Sequence, residues 1–447
     1  MNSFPGMKVA TDELTRLIDS QRRLAETARQ LAVTRDRDVE LATTPKTEVK
    51  RIGDKVLYRC GSPSAAARRR PPVLVIYALV GRYTVLDLQP DRSFLGSLME
   101  AGLDVFVVDW GHPNRACRYD DLGDYVDFYL DAFVDAARAE TGHPAINLVG
   151  ICQGGVLSFC YAALFPEKIR NLILAVTPFD FHADIADPHP GRGFMNVWAR
   201  SLEAADIDLI VDTLGNVPGD IGGMAFTLMT PMRSLAKYNL TLVEASQDEA
   251  KLMNFLRMEK WLADRPAHAG AAARQWLNEL YRENRLARGE LMMAGQRIDP
   301  KAVTMPLLNI YTETDHIIPP PMTKALRGRT GSSDYSDTRT SVYVYTMLGQ
   351  TRVTAGLIDR RRRSAEQLDS RLLFAGFSHP LSTQLTLDAQ YSRLDNGIDR
   401  KTNNWMATAT AKLGRDWVEH LAWIGGTLFA AAGKNLLAVR ADGGLAH

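Results

Sequence analysis

Along the chain the spacing of apolar and polar positions changes character more than once. From Val73 onward, apolar runs alternate with helix-compatible segments: Val73 to Leu79, Asp104 to Trp110, Ala145 to Val149, Leu172 to Thr177 and, after a long gap, Pro306 to Tyr311. The helix candidates between them lie near Ser93 to Ala101, Leu122 to Glu140 and Gln153 to Phe165. Continuous apolar strands separated by helices imply a parallel sheet covered on both faces. The gap from Phe179 to Pro300 is rich in Met, Trp, Asp and Arg. An insertion of that size between two strands of such a sheet is most economically a helical lid over its catalytic end.

The two ends differ from this middle. Residues 6–45 read as a charged helical arm with apolar positions at Leu14, Leu17, Ile18, Leu24 and Leu31, followed by an early strand at Lys55 to Cys60 and a solvated basic loop at Arg68-Arg69-Arg70. Beyond residue 338 the period becomes two, with Leu385, Leu387, Ala389 and Tyr391 set against Thr386, Asp388, Gln390 and Ser392, and Ala407, Ala409 and Ala411 against Thr408, Thr410 and Lys412. Period two means antiparallel strands. The expected organisation is an arm and early strand over 1–65, an α/β core over 66–178, a helical lid over 179–300, a last core strand and loop over 301–337, and a divergent segment over 338–447 that is β-rich or poorly ordered.

Composition narrows the function only a little. The 447 residues hold 53 Lys plus Arg against 52 Asp plus Glu, so no overall field argues for nucleic acid. Four cysteines, Cys60, Cys117, Cys152 and Cys160, show neither C-x-x-C spacing nor the density of a disulfide scaffold, which suits a reducing cytoplasm. The N-terminus has charge by Lys8 and no apolar signal core, and Leu421 to Gly433 is broken by glycines and too short to span a bilayer as a helix. Neither a cofactor nor a metal is called for.

The candidate chemistry centres on Asn147-Leu148-Val149-Gly150-Ile151-Cys152-Gln153-Gly154-Gly155. A strand, Gly-x-Cys-x-Gly and a helix make a nucleophile elbow with sulfur in place of a serine oxygen, because glycines two residues on either side leave room for a strained turn. Cys152 is the candidate nucleophile, and the helix N-terminus is expected to lower its pKa. The plainer alternative is a buried cysteine beside a tight turn. Asp315 follows the late strand Leu307 to Tyr311, at the rim where strand ends of a parallel sheet converge, and is the candidate acid that orients a histidine. Taken alone it would be a loop carboxylate capping a helix. His316 is expected to pack in the loop. The stretch Tyr77 to Arg82 leaves the first core strand, and the backbone amides of Val80 and Gln153 are the candidate oxyanion donors.

With these residues in place, the chain from about Leu24 to Asp337 resembles the catalytic subunit of class III polyhydroxyalkanoate synthases. The resemblance is carried by Tyr77 to Val80, Leu88 to Ser93, Val108 to Gly111, Gly150 to Gly155, Val176 to Pro178, Asp206 to Leu209, Asp212 to Gly219, Asn254 to Trp261 and Asp315 to Pro320, in the right order. It implies an α/β-hydrolase fold with a parallel sheet core and a helical lid, and a Cys-His-Asp triad. It implies polymerisation of (R)-3-hydroxyacyl-CoA with release of coenzyme A. It further implies a second, non-catalytic subunit in a hetero- or homo-oligomer, and residence in the cytoplasm on polyester granules. Cys152 carries over as the nucleophile holding the growing chain and Asp315 as the activating carboxylate.

The family places its general base in a Gly-Gly-His segment about thirty residues past the aspartate. Here Asp334 to Asp337 looks like the approach to it, and Thr338 to Tyr343 then contains no histidine. The next is His379, so the catalytic histidine is unassigned. The tail looks faintly like strands of an outer-membrane porin and reads as a fused or substituted segment. A few hairpins cannot close a barrel, so no membrane function is expected from it. The competing expectation is a synthase-fold protein without a working base, acting only in granule or subunit binding.

Overall fold

The computed structural model describes residues 34–186, 194–229, 241–246, 248–312, 314–332 and the eight strands between 336 and 440, with isolated positions such as Arg22, Glu26 and Arg29 in helix. Most of the expected N-terminal arm lies outside the described residues. The chain divides into two compact units, Met1–Ser333 and Asp334–His447.

The first unit is built on a seven-stranded sheet: β1 (Lys46–Ile52), β2 (Lys55–Cys60), β3 (Val73–Ile76), β4 (Val105–Asp109), β5 (Ile146–Ile151), β6 (Ile169–Ala175) and β7 (Leu307–Ile310). The spatial order is β1-β2-β4-β3-β5-β6-β7. β1 pairs antiparallel with β2, and β2 antiparallel with β4, whereas the remaining neighbours are parallel. β3 and β4 are buried at every residue, which is why both read as unbroken apolar runs. The sequence pattern misses β1, whose only aliphatic residues are Val49 and Ile52. It forms because Gly53, at φ 62°, closes a tight hairpin onto β2.

Strand order reverses at β3, so the loops leaving β3 and β5 open side by side, and those leaving β6 and β7 continue along the same rim. Helix α1 (Phe94–Glu100) starts at Ser93, whose hydroxyl caps the Gly96 amide at 2.8 Å. Asp124–Leu130 continues into α2 (Asp131–Thr141), which ends at Gly142 with φ 71°. α3 (Gln153–Leu164) is buried on nearly every side and runs directly from the elbow.

Between β6 and β7 the described insertion is mainly helical, with α4 (Phe194–Ser201), α5 (Ala204–Leu214), α6 (Gly219–Met229), α7 (Glu249–Ala263) and α8 (Gly270–Gln275). It also contains a two-residue-stranded hairpin, Met292–Met293 with Gln296–Arg297. It is pinned to the core at named points. Asn216 Nδ2 donates to the carbonyls of Pro113 and Asn114, Trp261 Nε1 donates to the Arg82 carbonyl at 2.9 Å, and Asp264 receives His112 Nε2 at 2.9 Å. Val217 and His268 exchange both backbone hydrogen bonds, at 2.9 and 2.8 Å.

The second unit is a meander: β8 (Ser336–Leu348), β9 (Thr351–Arg363), β10 (Ser370–Pro380), β11 (Leu385–Asp395), β12 (Lys401–Leu413), β13 (Asp416–Ile424), β14 (Thr427–Ala432) and β15 (Asn435–Arg440). Each strand pairs antiparallel with the next. The alternation read from the sequence sets the register, since Leu385, Leu387, Ala389 and Tyr391 face Ala411, Ala409, Ala407 and Trp405 in turn. The expectation of a few hairpins undercounts this unit. Eight strands are enough for the smallest closed barrels, so strand number does not exclude one, although no pairing joins β15 to β8 among the described residues.

Candidate active site

Cys152 follows β5 and precedes α3 with φ 57° and ψ −122°. A non-glycine residue in this region carries strain of order 1–3 kcal/mol and persists only where its surroundings hold it. Here they do. The Cys152 amide donates to the Ala175 carbonyl at 2.9 Å, and the Cys152 carbonyl accepts from the Gly155 amide at 3.0 Å. The two flanking glycines are required by close approach. A Cβ on Gly150 would meet Gly155 Cα and Ser158 Oγ at 2.6 Å, and one on Gly154 would meet the carbonyl oxygens of Ile76 and Tyr77 at 2.5 Å. One strand further along, Val176 also has positive φ, at 45°, and its amide donates to the Ile310 carbonyl at 2.7 Å. The ends of β5, β6 and β7 are thereby tied into one rim.

The expected lowering of the thiol pKa is overturned. Burial pushes Cys152 up from its ordinary 9.0 to about 11, the Gln153 amide pulls it down, and the Asp315 carboxylate pushes it further up. Desolvation of a sulfur anion outweighs the helix N-terminus here. The influence of Asp315 also shows that the β7 loop brings its carboxylate within electrostatic reach of the sulfur. Tyr77 and Tyr281 lie within electrostatic reach of the same thiol; burial raises both phenols, and the sulfur adds to the shift. Two of the other cysteines share that cause. Cys60 and Cys160 are buried, their thiols driven up by burial, Cys60 to about 12.

Asp315 Oδ1 accepts from the amides of Ile317 and Ile318, both at 2.9 Å, which folds the loop and orients the carboxylate. Among the described residues no hydrogen bond is made to its other oxygen, and no histidine ring bonds Asp315 or Cys152. His316 is half-buried beside it. His379 lies on β10 of the second unit, opposite Leu387.

The two candidate oxyanion donors are differently placed. The Gln153 amide faces the Cys152 sulfur. The Val80 amide donates to the side chain of Gln153, at 3.3 Å to Oε1, beside the Leu79 amide at 2.9 Å. Gln153 Nε2 in turn lies 3.4 Å from His268 Nε2. Sequence reasoning missed Leu79, Tyr281, His268 and the Gln153 side chain. Leu79 could have been found as the neighbour of Val80, but His268 and Tyr281 belong to the insertion and carry no motif.

A family model of the alpha/beta hydrolase fold matches residues 71–340. The chain is 38% identical over 336 residues to "Poly(3-hydroxyalkanoate) polymerase subunit PhaC" of Allochromatium vinosum, covering 75% of this chain and 91% of that protein. It is 41% identical over 294 residues to the subunit of the same name from Synechocystis sp., covering 65% of this chain and 75% of that one. For the Thiocystis violacea subunit the identity is 37% over 299 residues, covering 67% and 81%. The elbow, the rim and these matches agree: the chain belongs to the alpha/beta hydrolase fold family and, within it, to the PhaC poly(3-hydroxyalkanoate) polymerase subunits.

Proposed function

We propose that this chain is the catalytic subunit of a polyester synthase that polymerises (R)-3-hydroxyacyl-CoA, with Cys152 as nucleophile and Asp315 as its activating carboxylate. The carrying observation is the elbow itself, a positive-φ cysteine at the start of a buried helix with its neighbours packed too closely for any side chain at Gly150 or Gly154. The Cys152 sulfur, as thiolate, attacks the acyl thioester carbonyl. The tetrahedral oxyanion is received by backbone amides, of which Gln153 and Val80 are the candidates, and collapses to acyl-Cys152 as the coenzyme A sulfur departs and takes up a proton. In elongation a 3-hydroxyl loses its proton to a base and attacks an acyl-Cys152 carbonyl, so that an ester forms and the sulfur is released. A non-catalytic partner subunit and a polyester granule surface in the cytoplasm belong to this reading. No helix among the described residues is long and apolar enough to cross a membrane.

One observation favours a second reading, in which the chain binds granules or its partner with little turnover: among the described residues no histidine ring hydrogen-bonds Asp315 or Cys152. Losing one member of a triad costs on the order of four to six decades in rate. The two are separated by incubating the chain and its partner subunit with 3-hydroxybutyryl-CoA, measuring coenzyme A release and mapping the acyl group by mass spectrometry. Continuous release with acyl-Cys152 supports the synthase; a single equivalent without polymer supports the second reading. Cys152→Ala abolishes acylation, and an adduct that persists on another cysteine in that variant would sink Cys152 as nucleophile.

A further inference from the structure

The candidate oxyanion donor in the loop after β3 and its neighbour are already engaged by the protein itself. The amides of Leu79 and Val80 converge on one atom, Gln153 Oε1, at 2.9 and 3.3 Å. Two backbone N–H groups aimed at a single oxygen is the arrangement a tetrahedral intermediate requires. Gln153 is buried, so water does not compete for the position. Its orientation is fixed by the network, because only the carbonyl end of the carboxamide can accept both amides. The NH2 end therefore faces His268 Nε2 at 3.4 Å. A carboxamide nitrogen has only hydrogens to offer, so His268 accepts there as a neutral ring with its proton on Nδ1. His268 is in turn held by its backbone to Val217, and both residues belong to the insertion and not to the core sheet.

We propose that the Gln153 carboxamide is an internal plug of the oxyanion site, latched by His268 of the insertion, and that the acyl thioester substrate must displace it. The inference rests on Cys152 being the nucleophile. A neutral carboxamide oxygen is a weaker acceptor than a developing oxyanion, whose charge-assisted hydrogen bonds are roughly twice as strong. The oxyanion therefore wins the two amides once the carboxamide is free to turn away. The latch sets how free it is. Because the backbone of His268 is bonded to Val217 within the insertion, a shift of the insertion would withdraw the acceptor and free the donors, coupling entry of substrate to assembly of the catalytic rim. His268 is a positioning residue that acts through Gln153.

The test uses the full chain and compares two reactions at one sulfur. Acylation of Cys152 by 3-hydroxybutyryl-CoA passes through an oxyanion, whereas alkylation by iodoacetamide is a direct displacement that forms none. Both are followed by mass spectrometry of the Cys152 peptide, and the ratio of the two rates is read. His268→Leu and Gln153→Ala are each expected to raise the ratio roughly five- to tenfold, the worth of one ordinary hydrogen bond. His268→Gln, whose carbonyl oxygen can accept the same N–H, is expected to restore the parent ratio. A lowered ratio in Gln153→Ala would mean that the carboxamide braces the loop donors, and an unchanged one that it does not compete for them; either overturns the plug. His268→Gln behaving like His268→Leu overturns the latch. Should His268→Leu not fold, the other two variants decide. No acylation of Cys152 in any variant overturns the nucleophile assignment together with this inference, whereas intact acylation at an unmoved ratio overturns only the inference.

Discussion

At the Cys152 corner of the rim the backbone is determined several times over. The strained residue is tied to β6 through Ala175 and to α3 through Gly155, and glycines on both sides let helix and strand approach to contact. At the Asp315 corner one carboxylate oxygen is spent on the loop's own amides, and the other has no hydrogen-bond partner among the described residues. Both corners stand at carboxyl ends of strands in one sheet, yet they depend on different lengths of chain. The elbow at Cys152 is built from contiguous residues and their immediate neighbours. In the proposed role Asp315 would need a third group to act through, and the family match ends at residue 340, where the second unit has begun. Among the described residues the elbow around Cys152 is thus built in full, while no histidine ring hydrogen-bonds Asp315.

The largest expected effect comes from completing the weaker corner. Replacing everything after Asp337 with a Gly-Gly-His ending should raise polymer formation by about 10⁴-fold, the scale of restoring one triad member, measured as coenzyme A release with the partner subunit present. If the unmodified chain already makes polymer, and His379→Ala leaves its rate unchanged, the idea of a missing histidine is wrong.

Asp315→Asn sharpens the contrast next. The asparagine oxygen still accepts from Ile317 and Ile318, so the loop keeps its shape. In the chain with a restored histidine the loss should reach about three to four decades, because the orienting charge is gone. In the present chain, where no imidazole lies on Asp315 among the described residues, acylation should change less than tenfold. Equal losses in both backgrounds would place the role of Asp315 in the loop and not in a relay.

The stronger corner should break through packing. A methyl group on Gly154 meets two carbonyl oxygens that belong to β3 and its exit loop and cannot move aside cheaply. Gly154→Ala is expected to cost about 1–3 kcal/mol of stability and to reduce acylation with it. A urea midpoint indistinguishable from the parent's would show that the elbow tolerates more space than its geometry implies.

Much of this was legible in the sequence for a plain reason. The buried parallel strands read as apolar runs, and the elbow is a local motif whose spacing is the geometry. The meander announced itself by period two. What was not legible depends on distant contacts. β1 has too few apolar residues to signal a strand and exists because Gly53 turns it onto β2. The engagement of Leu79 and Val80 by Gln153, and the approach of His268, join residues 73 to 115 positions apart. The pKa of Cys152 is not legible because a helix N-terminus can be seen in sequence, whereas the desolvation of a sulfur cannot.

The ionisation of Cys152 supplies the smallest and cleanest test. A thiol titrating near 9.0 would expose about one-tenth of its sulfur as thiolate at pH 8, and one titrating near 11 about one-thousandth. Alkylation of Cys152 should therefore be slow at neutral pH and climb about tenfold per pH unit past 9, levelling only near 11. Asp315 opposes ionisation of the sulfur, since two negative charges repel and no imidazolium lies on either group among the described residues. Its neutralisation moves the profile down. Asp315→Asn should alkylate faster than the parent at pH 8, with the same limiting rate above pH 11. The opposite sign would mean that Asp315 supports the thiolate through a bridging cation and that the two corners are already joined. An alkylation profile that levels near pH 9 would show that the helix N-terminus prevails over burial after all.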